Sequence, residues 1–299
     1  MKHLVTGGAG FIGSHIVDAL LDLGHEVVVI DNESADSNEK FYWNSSAENH
    51  KVDILDYETI EPLFSGVHTV FHLAAESRIQ PAIKNPLHAA KVNFLGTCNV
   101  LQCAREKGCD RVVYSSTSSG YGLKNKVPLK EDMDRDCLNP YSVTKCGGED
   151  LCKMYYSLYG LKTVIFRYFN VYGPRQPIRG EYAPVIGLFM RQSKDGIPMT
   201  IVGDGSQTRD FTNVFDVVQA NLLAMKSSQE VFGEIYNIGS GKRFSIMEVA
   251  KMIGTDWVNI APRIGEATDS LADISKAKSK LGYSPEKDLG KWIRDNIDH

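Results

Sequence analysis

Residues 3–6 form a short apolar run that breaks into Gly7-Gly8-Ala9-Gly10-Phe11-Ile12-Gly13, and a helical pattern resumes over residues 14–23. Four glycines in seven residues at a strand-to-helix junction restrict the fold sharply. They permit a tight turn and a close approach of helix to strand that side chains would block. Residues 26–30 include three valines and read as the next strand, which ends at Asp31. Further apolar runs of strand length cover 67–73, 111–115 and 163–168, with helical spacing over 87–107 and 141–159. Continuous rather than alternating apolar runs fit strands buried on both faces, and strand–helix alternation predicts a parallel sheet covered by helices.

The expected fold is therefore α/β, a Rossmann-type doubly wound parallel sheet. After Asn170 the texture changes to Gly173-Pro174-Arg175-Gln176-Pro177 and scattered glycines. This predicts a first domain over 1–170, with 213–240 returning to it. A smaller, interleaved substrate domain is expected over 171–212 and 241–299. The chain begins directly in strand and glycine turn, with no leader and no apolar run of membrane-spanning length, so cytoplasmic residence is expected. The formal charge of −4 offers no basic field for nucleic acid. Six cysteines, Cys98, Cys103, Cys109, Cys137, Cys146 and Cys152, lack metal-ligand spacing and read as reduced thiols, and no metal is expected.

The glycine turn carries chemistry as well as shape. Gly7, Gly10 and Gly13 let the backbone approach a pyrophosphate, and the N-terminus of the following helix offers free N–H groups and a positive dipole end. Asp31, eighteen residues beyond Gly13, can accept hydrogen bonds from an adenosine ribose and would repel a 2′-phosphate, which selects NAD over NADP. Asp53 and Ile54 could bracket the adenine.

A second constellation lies at Asn139-Pro140-Tyr141-Ser142-Val143-Thr144-Lys145, where Asn139 and Pro140 predict a helix start. Tyr141 and Lys145 then share one helix face. A phenolate base at neutral pH needs a shift of roughly three units, about 4 kcal/mol, which a nearby ammonium and a positive nicotinamide ring can supply. Tyr283 and Lys287 repeat the spacing, but Pro285 interrupts them. Before Tyr141, a strand runs into the hydroxyls Ser115, Ser116, Thr117 and Ser118, at the carboxyl end where such sheets bind ligands.

Together these residues resemble the extended short-chain dehydrogenase/reductase family, over nearly the whole chain. The matching segments are 6–13, His72-Leu73-Ala74-Ala75, Asn93, 115–117, Tyr141 with Lys145, 167–174, and 203–205 with 209–211. The resemblance implies Thr117, Tyr141 and Lys145 as catalytic residues. It implies cofactor contacts from Gly7, Gly10, Phe11, Ile12, Gly13, Asp31, Asn32, Asp53, Ile54, Leu73, Ala74, Ala75, Asn93, Ser115, Ser116, Tyr141, Lys145 and Tyr168. For the substrate it implies Ser77, Thr117, Ser118, Tyr141, Asn170, Arg209, Arg263, Glu266 and Ser270. Asn170 and the two arginines would hold a diphosphate, as guanidinium forks suit phosphate oxygens. Glu266 would take a nucleoside hydroxyl, although Asp is the family's usual residue there.

Within the family the pattern is similar to 4-epimerases of UDP-glucose and UDP-N-acetylglucosamine. Related dehydratases carry Asp-Glu beside the catalytic hydroxyl and decarboxylases Ser-Thr-Ser-Glu, whereas Thr117 is followed by Ser118 and Ser119. Ser270 occupies a position where some members restricted to unacetylated hexoses have tyrosine, which implies room for an acetamido group. A homodimer is expected through residues 87–107 and 141–159. Alternatives are an epimerase or reductase acting on another nucleotide sugar, such as a UDP-uronic acid, and a non-catalytic NAD-binding regulator. Asp31 weighs against an NADPH-consuming reductase, and the intact tyrosine, lysine and hydroxyl weigh against the regulator. Arg78 could approach a substrate carboxylate or acetamido oxygen, but a surface salt bridge is the preferred reading.

Overall fold

A computed structural model describes residues 1–178, 183–254, 256–262 and 268–297. Seven parallel strands form the central sheet. In chain order they are β1 (Lys2–Thr6), β2 (Glu26–Asp31), β3 (Glu48–Lys51), β4 (Val67–His72), β5 (Arg111–Thr117), β6 (Lys162–Tyr168) and the strand Glu234–Ile238. From one edge the order is Glu234–Ile238, β6, β5, β4, β1, β2, β3. The order reverses between β1 and β4, and the crevice outside their carboxyl ends is where this architecture receives ligands.

Helix α1 (Phe11–Asp22) starts three residues earlier than its apolar spacing predicts. Gly10 is its N-cap, so Gly13 lies in its first turn, where a Cβ would stand 2.1 Å from the Gly7 carbonyl oxygen. Gly7 itself has φ +67°, and a Cβ there would meet the Ala74 backbone nitrogen at 2.8 Å. These close contacts are what the glycine spacing encodes.

Residues 87–107 are helical nearly throughout, but in three pieces: Pro86–Ala90, a π-helical segment Lys91–Gly96, and Thr97–Glu106. The widened turn bears Asn93. Helix Pro140–Tyr159 begins as the Asn-Pro pair predicts: the Asn139 side chain accepts from the Ser142 N–H at 2.9 Å, and Gly160 ends the helix at φ +71°.

Two apolar cores cover the sheet faces, and a third lies beneath a smaller lobe built around Tyr172, Phe189, Ile201, Phe211, Val249 and Ile293. The helix Ser275–Leu281 departs from the sequence expectation. Its Ala277 and Leu281, with Tyr283 beyond, pack into a sheet core rather than under the smaller lobe. A short amphipathic segment shows which face is apolar but not which core will cover it. Among the described residues no helix is long and apolar enough to cross a membrane, and no side-chain cluster suits a metal ion.

At the amino end of the sheet, His3 is fully buried between His25 and His68, with neither ring nitrogen hydrogen-bonded. Burial, reinforced by those two rings, draws its pKa down to about 4 from 6.5. The folded state therefore prefers the neutral ring. The associated stability is complete above pH 6.5 and is lost as pH falls toward 4, at roughly 1.4 kcal/mol per pH unit. His3→Phe should flatten the dependence of the urea midpoint on pH between 6.5 and 4. An unchanged slope would show that His3 does not govern acid sensitivity.

Candidate active site

A cavity of about 530 Å³ lies along the carboxyl ends of β1, β2, β4, β5 and β6 and continues against the smaller lobe. One end is the glycine turn. Gly7, Gly10, Phe11, Ile12 and Gly13 line it, and α1 has no side-chain cap and no acid in its first turn. Its first N–H groups and dipole end thus face the cavity uncompensated, as an anion requires. Beside it, Asp31 is nearly buried and receives backbone N–H bonds from Ala9 (3.1 Å) and Glu33 (2.8 Å). Burial raises its pKa, and those N–H groups work against the rise. Asn32 donates to Asp53 at 2.9 Å, and Asn32, Asp53 and Ile54 complete this wall. A glycine cradle, an open helix end and an acid at the strand terminus fit the pyrophosphate and adenosine ribose of NAD.

The other end holds the hydroxyl, the phenol and the ammonium. Thr117 closes β5 and shares the cavity wall with Tyr141, and its Oγ1 accepts the Ser119 N–H at 3.1 Å, leaving the hydroxyl proton free to be donated into the cavity. Burial raises the Tyr141 pKa, while the Thr117 hydroxyl and the Arg78 guanidinium pull it back. Lys145 is buried, with Nζ 4.3 Å from the Tyr114 ring centroid, and burial lowers its pKa to about 8. At neutral pH it is mostly charged. Ser115 donates to the Tyr168 hydroxyl at 3.2 Å, and that hydroxyl also receives Asn221 at 2.8 Å.

Behind the cavity, two polar networks set this geometry. Glu149, fully buried one helical turn beyond Lys145, receives Ser116 (2.6 Å) and Arg167 through Nε (2.9 Å) and Nη2 (2.8 Å). Arg135 adds a bond at 3.0 Å. Ser116 therefore spends its hydroxyl on the helix. In the second network, donor counting gives one direction of proton donation. The Leu73 and Ala74 N–H groups donate to Thr6, Thr6 donates to His72 Nδ1 (2.7 Å), His72 Nε2 donates to Thr97 (3.0 Å), and Thr97 donates to the Asn93 carbonyl (2.7 Å). Burial, with the Lys145 charge adding, lowers the His72 pKa to about 3, which keeps the ring neutral for this role.

Most sequence-predicted residues meet in the cavity wall, including Leu73, Ala74, Ala75, Ser77, Ser118, Asn170 and Ser270. Arg209 lines it too, with its guanidinium donating to the carbonyls of Thr208 and Thr268 at 2.9 and 3.0 Å. Asn93 stands behind the wall. Its amide accepts the Glu76 N–H (2.8 Å) and donates to the Glu76 carbonyl and to Thr144 (3.0 Å each). Arg263 and Glu266 lie outside the described residues. Among the described residues Arg78 makes no salt bridge. It lines the cavity, donates to Ser37 at 3.1 Å, and has a buried Nε without a hydrogen-bond partner. Ser37, Gln80 and Gln207 also line the cavity; Ser37 and Gln207 lie on loops and Gln80 in a six-residue helix, too short or irregular for a spacing signal by which the sequence could reveal them.

Comparison with known proteins agrees with this fold. Residues 3–239 match the model of the NAD dependent epimerase/dehydratase family. The crystal structure of a UDP-glucose 4-epimerase from Thermotoga maritima with UDP-glucose is 36% identical, with TM-score 0.94 over 99% of this chain and 97% of that one. A UDP-glucose 4-epimerase of Thermus thermophilus in complex with NAD is 33% identical, with TM-score 0.90 and 100% and 98% covered. A UDP-N-acetylglucosamine 4-epimerase from Methanobrevibacter ruminantium, in complex with UDP-N-acetylmuramic acid, is 32% identical, with TM-score 0.91 and 99% and 96% covered. The chain belongs to the NAD dependent epimerase/dehydratase family and is an NAD-dependent enzyme of the kind that works on nucleotide sugars.

Proposed function

We propose that the enzyme inverts C4′ of a UDP-hexose, interconverting UDP-glucose with UDP-galactose and UDP-N-acetylglucosamine with UDP-N-acetylgalactosamine. The observation that carries this reading is the meeting of Thr117, Tyr141 and Lys145 with no carboxylate following the hydroxyl. The described acids of the wall are Asp31 and Asp53, at the glycine-turn end, and Asp269, at the smaller lobe. Tyr141 takes the O4′ proton, Thr117 holds that oxygen, and Lys145 keeps positive charge near the phenolate. The glycine turn and Asp31 would hold NAD, which would supply a hydride acceptor for C4′ and a donor to the opposite face of the keto sugar. Arg209 and Asn170, with Arg263 from outside the described residues, would hold the diphosphate while the sugar turns. Because no net oxidation occurs, the cofactor has no reason to leave between turnovers.

The test is incubation of the purified protein, without added cofactor, with UDP-glucose, UDP-N-acetylglucosamine and UDP-glucuronate, the products being resolved by proton NMR. The C4′ epimer of either hexose is expected, and Tyr141→Phe should lower kcat by about 10²–10⁴-fold. Exclusive conversion of UDP-glucuronate would move the assignment to a uronic acid.

Ser270 bears on substrate breadth. It is buried in the cavity wall, and its Oγ has no hydrogen-bond partner. Ser270→Tyr is expected to cut kcat/KM for the N-acetylated sugar at least tenfold relative to the plain hexose. Equal losses on both would remove the steric argument.

The same proposal includes a homodimer. Leu87, Phe94, Leu95, Val143, Leu158 and Tyr159 are exposed on helical segments 86–106 and 140–159, while Lys145, Glu149 and Cys152 of the second helix point inward. Leu95→Glu with Val143→Glu should yield a monomer in sedimentation velocity, and a retained dimer would place the interface elsewhere.

A further inference from the structure

Arg78 lies on the loop that leaves β4 and lines the cavity with an unusual set of partners. Its guanidinium donates to the neutral hydroxyl of Ser37, and no carboxylate pairs with it among the described residues. Its Nε is buried and unbonded. Burial lowers the Arg78 pKa while Tyr141 and the Glu76 carboxylate hold it up, and a guanidinium stays cationic at physiological pH, so Arg78 carries a charge into the site that Glu76 offsets only in part. Its placement is also fixed. Asn93 holds both backbone groups of Glu76, two residues before Arg78, and the same amide donates to Thr144, between Tyr141 and Lys145 on the helix. One side chain thus sets the register of the Arg78 loop against the helix bearing the phenol.

We propose that Arg78 is a positioning residue for the base, a fixed cation beside Tyr141 that favours the phenolate when O4′ is deprotonated. This rests on Tyr141 being the base, as proposed above. The groups facing the phenol are Thr117 from β5, Arg78 and Glu76 from the β4 loop, Tyr114 behind it, and Cys146 and Lys145 on its own helix. Burial opposes the phenolate, and Glu76 and Cys146 oppose it further. The Thr117 hydroxyl and the Arg78 charge favour it. Lys145 stands over the Tyr114 ring, and burial brings its own titration to about 8, so its help fades at mildly alkaline pH. Arg78 does not titrate in that range and supplies a pH-independent share.

The test compares Arg78→Gln, Arg78→Lys and wild type in two measurements. The first is the pH profile of kcat. The second is the tyrosinate absorbance titration of the protein as purified, with the Tyr141→Phe titration subtracted so that the phenol is read directly. In Arg78→Gln the acidic limb and the Tyr141 titration should both move up by about one pH unit, a loss of about tenfold in kcat at neutral pH. Arg78→Lys should restore most of both. A uniform loss of kcat with both curves in place would overturn the proposal, leaving Arg78 with a structural role. Full turnover by Tyr141→Phe would instead remove the base assignment and this proposal with it.

Discussion

A carboxylate buried beneath the sheet holds the proposed catalytic geometry together. Glu149 on helix Pro140–Tyr159 receives Ser116 from β5 and Arg167 from β6, and so locks the helix to two neighbouring strands. Ser116 is adjacent to Thr117, and Glu149 lies one turn beyond Lys145. The register that closes this network is therefore the register that brings hydroxyl, phenol and ammonium together. Withdrawing such charges from water costs several kcal/mol each, and the return comes only when every partner is in place. A slipped helix would strand a buried guanidinium, so the arrangement penalises near misses more than an apolar contact could.

The second network acts on the cofactor side. The chain from the Leu73 and Ala74 amides through Thr6, His72 and Thr97 to Asn93 joins β1, β4 and the helical segment beyond them. It fixes the loop that passes within van der Waals reach of Gly7. A neutral imidazole is required, because it must accept at Nδ1 and donate at Nε2. Deep burial secures that state.

Much of this was legible in the chain itself, for a definable reason. The glycine turn, Asp31, the helix cap at Asn139 and the Tyr141/Lys145 pair are local patterns, whose geometry follows from spacing within one or two elements. That the sheet is parallel and covered on both faces followed from the continuous apolar runs and their alternation with helices. What the sequence hid depends on side chains meeting across the fold. Asn93 was legible as a site residue but not as a clamp between two loops, and Ser116 not as a partner of a helix carboxylate. Arg78 read as a surface cation because a loop residue carries no period to say which way it points. The helix Ser275–Leu281 shows the same limit at the scale of packing: its apolar face was readable, its choice of core was not.

The bare start of α1 has a consequence for the life of the polypeptide. With no acid in its first turn and no side-chain cap, this helix end is open to an anion from outside the chain. Whatever binds there and not to the unfolded chain adds to stability as the logarithm of one plus its concentration divided by its Kd. Proteolysis that proceeds through opened states would then slow as the nucleotide pool fills the site. The abundance of the protein would then be coupled to the supply of its cofactor, through the same few backbone amides that would hold it.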